Sequence, residues 1–258
     1  MKRIHKYLDI RYEKHLKEWD SVIAICGSSG VGKSNLGLNM AEFWYTKLKG
    51  ICESEDIKHF CMNKEDFVTD LSDCIPLEMT IFDEAGELSS RSALSKFNKS
   101  MMIAYQVIRA DKIFTILILP ELWYLDSFFR NTKIKALFHV YKRGRVACWL
   151  SQKVKTVVQL NQSRYLKNYY LVKPDFYDTF PIYKGVMAES YLKMKTNKTT
   201  QARLKLKEEI SEKSAVTERD LRNAKIKALL EAGLTQRDVA NQLGVSQATV
   251  NRTGSDSD

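Results

Sequence analysis

Val22-Ile23-Ala24-Ile25-Cys26-Gly27-Ser28-Ser29-Gly30-Val31-Gly32-Lys33-Ser34 is the stretch from which the rest of the chain can be read. An uninterrupted apolar run suits a strand buried on both faces. It leads directly into G-x-x-x-x-G-K-S, and Asn35 to Leu48 reads as a helix. Strand, glycine loop and helix is the setting in which this pattern binds phosphate, as a P-loop. Gly27, Gly30 and Gly32 let the backbone curl so that successive N–H groups point inward, and the helix adds its positive N-terminal end. Gly27, Ser28, Ser29, Gly30, Val31, Gly32, Lys33, Ser34 and Asn35 are therefore the expected binding residues for a nucleoside triphosphate. In that role Lys33 reaches the β and γ phosphates, and Ser34 places its hydroxyl on Mg²⁺.

Working outward, 258 residues fit one substantial α/β domain and a small appendage. A formal net charge of +10 points to a polyanionic partner, nucleic acid before membrane. The five cysteines, Cys26, Cys52, Cys61, Cys74 and Cys148, are scattered and form no C-x-x-C pair. This predicts reduced thiols in a cytoplasmic setting, with neither a disulfide framework nor a zinc site. Met1-Lys2-Arg3-Ile4-His5-Lys6 carries no apolar h-region, so no signal peptide is expected. No apolar run reaches membrane-spanning length; Ile113 to Pro120, the longest, suits a buried strand.

Along the chain, Tyr7 to Trp19 reads as a helix, Ile57 to Met62 as a second strand and Lys64 to Leu71 as a short helix. Asn63-Lys64-Glu65-Asp66 matches a guanine-reading N-K-x-D pattern, but it opens a helix where that motif should end a core strand, so it is set aside. Met79-Thr80-Ile81-Phe82-Asp83-Glu84 is the second chemical element. A short apolar strand delivers two adjacent carboxylates at its C-terminal end, where ligands of parallel sheets collect. Asp83 is expected to support the metal and Glu84 to polarise the attacking water, which makes the chain a hydrolase. Ser89 to Arg109 reads as a helix with an apolar stripe of Phe97, Met101, Met102, Tyr105 and Ile108. Lys112 to Leu119 and Ala136 to Tyr141 read as strands. A basic turn, Lys142-Arg143-Gly144-Arg145, then leads into Val146 to Leu150 as a hairpin partner. Strands interleaved with helices imply a parallel sheet covered on both faces, with an antiparallel edge near the end. Tyr169 to Lys173 reads as a strand and Pro174 to Pro181 as a loop.

Ile81-Phe82-Asp83-Glu84-Ala85, the aliphatic strand Thr115 to Leu119, then Leu125-Asp126 with Arg130 and an apolar strand in a basic setting together resemble the HerA/FtsK-type P-loop ATPases. The nearest form is the Zot-like branch of viruses and mobile elements, and the likeness covers about Val22 to Leu150. It implies a RecA-like core, ATP with Mg²⁺ as cofactors, and a ring-forming homo-oligomer that moves or packages double-stranded DNA. It also implies that Arg130 acts as an arginine finger on a neighbouring subunit. Related members end the fourth core strand with a polar sensor of the γ-phosphate, whereas this chain has Leu119-Pro120-Glu121.

The C-terminus carries a third signal. Glu189 to Lys213 is lysine-rich and reads as a solvated helical linker. Leu221 to Ala232 reads as a helix stopped at Gly233, Thr235 as the cap of Gln236 to Leu243, and Gly244-Val245-Ser246 as a tight turn into Gln247 to Arg252. Small Ala240, turn-forming Gly244 and apolar Val239, Leu243, Val245 and Val250 suit a helix-turn-helix. Its DNA-binding residues would be Ser246, Gln247, Thr249, Asn251 and Arg252. The expected layout is a P-loop ATPase domain over 1–188, a linker over 189–216, the helix-turn-helix over 217–252 and a disordered tail over 253–258. Two roles fit this pairing: an ATP-driven DNA motor, or an ATP-gated DNA-binding regulator or replication-initiation factor.

Overall fold

The computed structural model describes residues 1–17, 21–83, 112–125 and 127–255. The chain divides into two compact units, Met1–Met194 and Lys195–Asp258.

In the first unit seven strands form one sheet in the order β2-β3-β4-β1-β5-β6-β7. They are β1 (Ser21–Cys26), β2 (Phe60–Cys61), β3 (Met79–Asp83), β4 (Phe114–Leu119), β5 (Ile134–Lys142), β6 (Arg145–Leu150) and β7 (Phe176–Thr179). β1 pairs in parallel with β4 on one side and β5 on the other, and β3 pairs in parallel with β4 and β2. The Lys142–Arg145 turn reverses the chain, so β6 and β7 join antiparallel. The mostly parallel α/β sheet expected from the sequence is thus present, and it is compatible with a RecA-like core.

Alternation along β1 explains the layering. Ile23 and Ile25 face one core with Leu36, Met40 and Trp44 of α2 (Lys33–Lys49) and with Ile4 and Leu8 of α1 (Lys2–Lys17). Val22, Ala24 and Cys26 face the other core. There they meet Phe67 and Leu71 of α3 (Lys64–Asp73), Phe129 of α4 (Ser127–Thr132) and Val154, Val157 and Val158 of α5 (Ser151–Leu160). Side chains of a strand alternate between faces, so a wholly apolar β1 demands cover on both.

Three local readings change. Ile57 to Met62 is mostly a 3-10 turn, Ser54–His59, closed by a capping box at Glu53 and Asp56, and only Phe60 and Cys61 pair with β3. Tyr169–Leu171 is a 3-10 turn rather than a strand, because the Asn168 side chain accepts from the Tyr170 N–H and turns the backbone. The expected Pro174 to Pro181 loop contains β7, whose residues alternate half-buried and exposed as an edge strand should. Asn63 caps α3, its side chain accepting from the Asp66 N–H at 2.7 Å. The N-K-x-D text is therefore a helix cap. The helix read over Ser89 to Arg109 lies outside the described residues.

In the second unit, Ile226, Val239, Ala240 and Val250 form a small core with Leu229, Leu230, Leu234, Leu243 and Val245 around it. The linker and the following helix read separately from the sequence belong to one 44-residue helix, α6 (Ala188–Glu231), which begins within the first unit. Gly233 follows it with φ +87°. Thr235 caps α7 (Gln236–Leu243) and Gly244 ends it at φ +65°. α8 runs Gln247–Ser255, so residues 253–255 continue a helix where a disordered tail was expected. Buried Thr253, whose hydroxyl donates to the Thr249 carbonyl at 3.0 Å, carries that helix past Arg252. Among the described residues no helix is long and apolar enough to cross a membrane.

Candidate functional site

The glycine loop leaves β1 at the C-terminal edge of the sheet, and its neighbours force its shape. Gly27 has φ +148°, and a Cβ there would stand 2.4 Å from the Val140 carbonyl oxygen of β5, so only glycine fits. Its N–H donates to the Pro120 carbonyl at the end of β4, at 3.1 Å. The loop is thereby pinned between the two strands that flank β1. Pro120, directly after β4, thus engages the loop through its backbone.

Gly32 is the N-cap of α2, with φ +100° and no side-chain cap. α3, by contrast, has its first turn satisfied by Asn63. The open first turn of α2 leaves backbone N–H groups directed at the loop's concavity, the arrangement that favours an anion. Lys33 Nζ donates to the carbonyls of Gly27 at 2.8 Å and Ser28 at 2.9 Å. Burial pushes its ammonium below the ordinary lysine value, while the nearby Asp83 carboxylate works the other way.

Asp83 ends β3, two strands away from β1, yet the Ser34 hydroxyl donates to its Oδ2 at 2.6 Å. Parallel pairing through β4 sets this, matching Cys26 with Leu119 and Asp83 with Ile118, so both strands end at one level. The pair predicted to hold Mg²⁺ from positions 34 and 83 is therefore brought together. An oxygen-only donor set of a hydroxyl and a buried carboxylate fits a hard divalent cation. A glycine cradle beside a lysine fits phosphate oxygens.

Glu84 and Asp126 lie outside the described residues. Arg130 is not brought to the loop by any described contact. Its Nη1 donates to the carbonyls of Trp123 at 3.1 Å and Leu125 at 2.9 Å, and its guanidinium lies over the Trp123 ring. It lines a separate cavity of about 330 Å³ with Lys155 and Lys167.

Sequence reading missed the cover of the loop. After β7 the chain turns back across α2, setting the Phe180 ring where a Cβ added at Gly32 would meet it at 3.6 Å. Asn39 donates to the Pro181 carbonyl at 3.2 Å, and Asn35 accepts from the Tyr183 N–H at 3.4 Å. Tyr191, buried at the start of α6, reaches Ser34 with its hydroxyl and lies near Asp83. Arg143, at the tip of the β5–β6 hairpin, donates to the Gly30 carbonyl at 3.4 Å. The basic turn was legible as a turn, but its approach to the loop follows only from β5 lying beside β1.

In the C-terminal unit Ser246, Gln247, Asn251 and Arg252 are exposed. Thr249 is half-buried, and its hydroxyl pairs with the Ser246 hydroxyl at 2.9 Å. It therefore shapes the start of α8 more than it presents itself to a partner.

No protein-family model matches this chain, and no curated protein does either. The functional reading therefore rests on the chemistry of the site.

Proposed function

We propose that the chain is an Mg²⁺-dependent ATP hydrolase that drives DNA movement as an oligomer, as in the HerA/FtsK-type ATPases it resembles. One observation carries the reading: the loop that wraps Lys33 and the Ser34–Asp83 pair, drawn from strands far apart in sequence, meet at one edge of the sheet. Gly27 to Asn35 would hold the triphosphate, with Ser34 and Asp83 holding the metal. Bound Mg²⁺ supplies positive charge against the phosphate oxygens. Loop N–H groups and Lys33 counter the charge that builds on the γ-phosphoryl group. Glu84, next in the chain after Asp83, takes the proton of the attacking water. Arg130 completes a neighbour's site only by exchanging its contacts to Trp123 and Leu125 for phosphate. The net charge of +10 and the exposed Gln247, Asn251 and Arg252 support DNA as the partner.

A second reading, an ATP-gated DNA-binding regulator, is favoured by the separately cored C-terminal unit. Steady-state ATP hydrolysis with and without double-stranded DNA, with Lys33→Ala as blank, tests both. Strong stimulation by DNA of any sequence supports the motor. Slow turnover indifferent to bulk DNA supports the regulator, and turnover equal to the blank refutes the motor.

A further inference from the structure

A second polar cluster lies away from the glycine loop, between the 3-10 turn before β2, the C-terminal end of α3 and the start of β3. His59 and Glu78 are buried at 4% and 5% exposure, and Cys74 is buried with them. One donor atom from each of the three lies within 4.8 Å of the other two. The ring is held by Asp70, whose Oδ1 is 2.8 Å from His59 Nδ1. Asp70 is itself fixed, since the Thr80 hydroxyl donates to its other oxygen.

That arrangement sets an electrostatic problem. With Nδ1–H given to Asp70, the Nε2 lone pair of His59 faces Glu78 Oε1 at 3.5 Å. Nε2 is buried and makes no hydrogen bond. Two acceptors facing each other in a buried site repel unless a cation stands with them. Among the described residues no Lys or Arg side chain is within ion-pair distance of Asp70 or Glu78; Lys49, which acts on Glu78 through space, is itself paired with Asp56 at 2.7 Å. The Cys74 thiol lies 3.6 Å from His59 Nδ1, on the Asp70 side of the ring, and 3.8 Å from Asp70 Oδ2, and burial with the neighbouring carboxylates holds it above the ordinary thiol value.

We propose that His59, Cys74 and Glu78 bind a divalent transition-metal ion, zinc above all, with Asp70 orienting the imidazole. Nitrogen, sulfur and oxygen donors in one closed site are the mixed set that zinc accepts. A carboxylate on the far nitrogen of a ligating histidine is the usual second support. Binding displaces one proton, from the Cys74 thiol to solvent, so affinity falls as pH falls. The ion would tie the end of the 3-10 turn and the end of α3 to the first residues of β3, the strand whose other end is Asp83. The site is independent of the triphosphate reading and stands if that reading fails. It also reverses the expectation from cysteine spacing, because an H-x14-C-x3-E set contains no C-x-x-C for pattern reading to find.

The test uses the full chain. Purified protein should keep about one zinc per chain after desalting, and cobalt(II) should give a thiolate charge-transfer band. Cys74→Ser and Glu78→Gln should each weaken metal affinity at least about 10-fold. Cys52→Ser and Lys33→Ala should retain it. A chelator should lower the wild-type melting temperature and leave that of Glu78→Gln unmoved. Absence of both bound zinc and a cobalt band in wild type, or equal loss in Cys52→Ser, overturns the proposal.

Discussion

Alanine placed at two glycines of the same loop should have very different costs. At Gly30, φ is +78° and nothing lies within 4 Å of the added Cβ. The penalty there is the left-handed strain of an L-residue, about 1–2 kcal/mol, partly offset by about 0.4–1 kcal/mol from a less flexible unfolded chain. The net is about 1 kcal/mol or less. At Gly27 the added Cβ meets the Val140 carbonyl oxygen at 2.4 Å, in addition to the strain at φ +148°. That oxygen belongs to β5, paired on one side with β1 and on the other with β6, so it cannot withdraw cheaply. Overpacking adds about 1–3 kcal/mol, for a total of about 1–4 kcal/mol after the same offset. For a unit of this size each kcal/mol moves Tm by about 2–4 °C, so Gly27→Ala should melt at least about 2 °C below Gly30→Ala. Thermal unfolding followed by circular dichroism reads the difference. Equal melting of the two variants, or the reverse order, would refute the fit of the loop between β4 and β5.

Four further outcomes are expected. Lys33→Ala should leave the fold intact and weaken ATP binding roughly 10- to 100-fold, the worth of a charge-assisted contact, as read by fluorescence titration with a labelled nucleotide. Triphosphate affinity should fall as pH rises through the depressed Lys33 value, earlier than for an ordinary lysine at 10.5, because the neutral amine cannot pair with phosphate. Over the same window the unfolded chain binds more protons, so Lys33 makes intrinsic stability rise with pH, and denaturant titrations should show these opposite slopes. Burial lowers His139 to about 4 from 6.5, so the unfolded state takes the proton first as pH falls. Stability should therefore drop between those values, by of order 2 kcal/mol after discounting for solvent screening, and His139→Gln should flatten that limb of a pH–Tm curve. Gln247→Ala should cost about 1–3 kcal/mol against a selected DNA site while leaving the salt slope of non-specific binding unchanged, which filter binding at several salt concentrations can separate.

Much of this was legible because it is local. An all-apolar β1 needs two covered faces, a helix follows G-K-S, Thr235 and Gly244 bound α7, and the hairpin at Gly144 reverses the chain. Each reading depends on residues within a few positions of one another. The failures have equally definite causes. β7 and the Tyr169–Leu171 turn were misread because an edge strand and a side-chain-capped turn are decided by what lies beside them.

By itself, then, the sequence determined the strand–loop–helix arrangement around Gly27–Ser34, the acidic end of β3 at Asp83 and the basic balance of the chain, since these follow from side-chain identity and near-neighbour spacing. Only the tertiary structure decided that Asp83 meets Ser34, that Phe180, Tyr191 and Arg143 close over the loop, and that His59, Cys74 and Glu78 share one buried site. Those juxtapositions come from strand order, which is set by how the whole set of apolar faces is buried together and is written in no single segment.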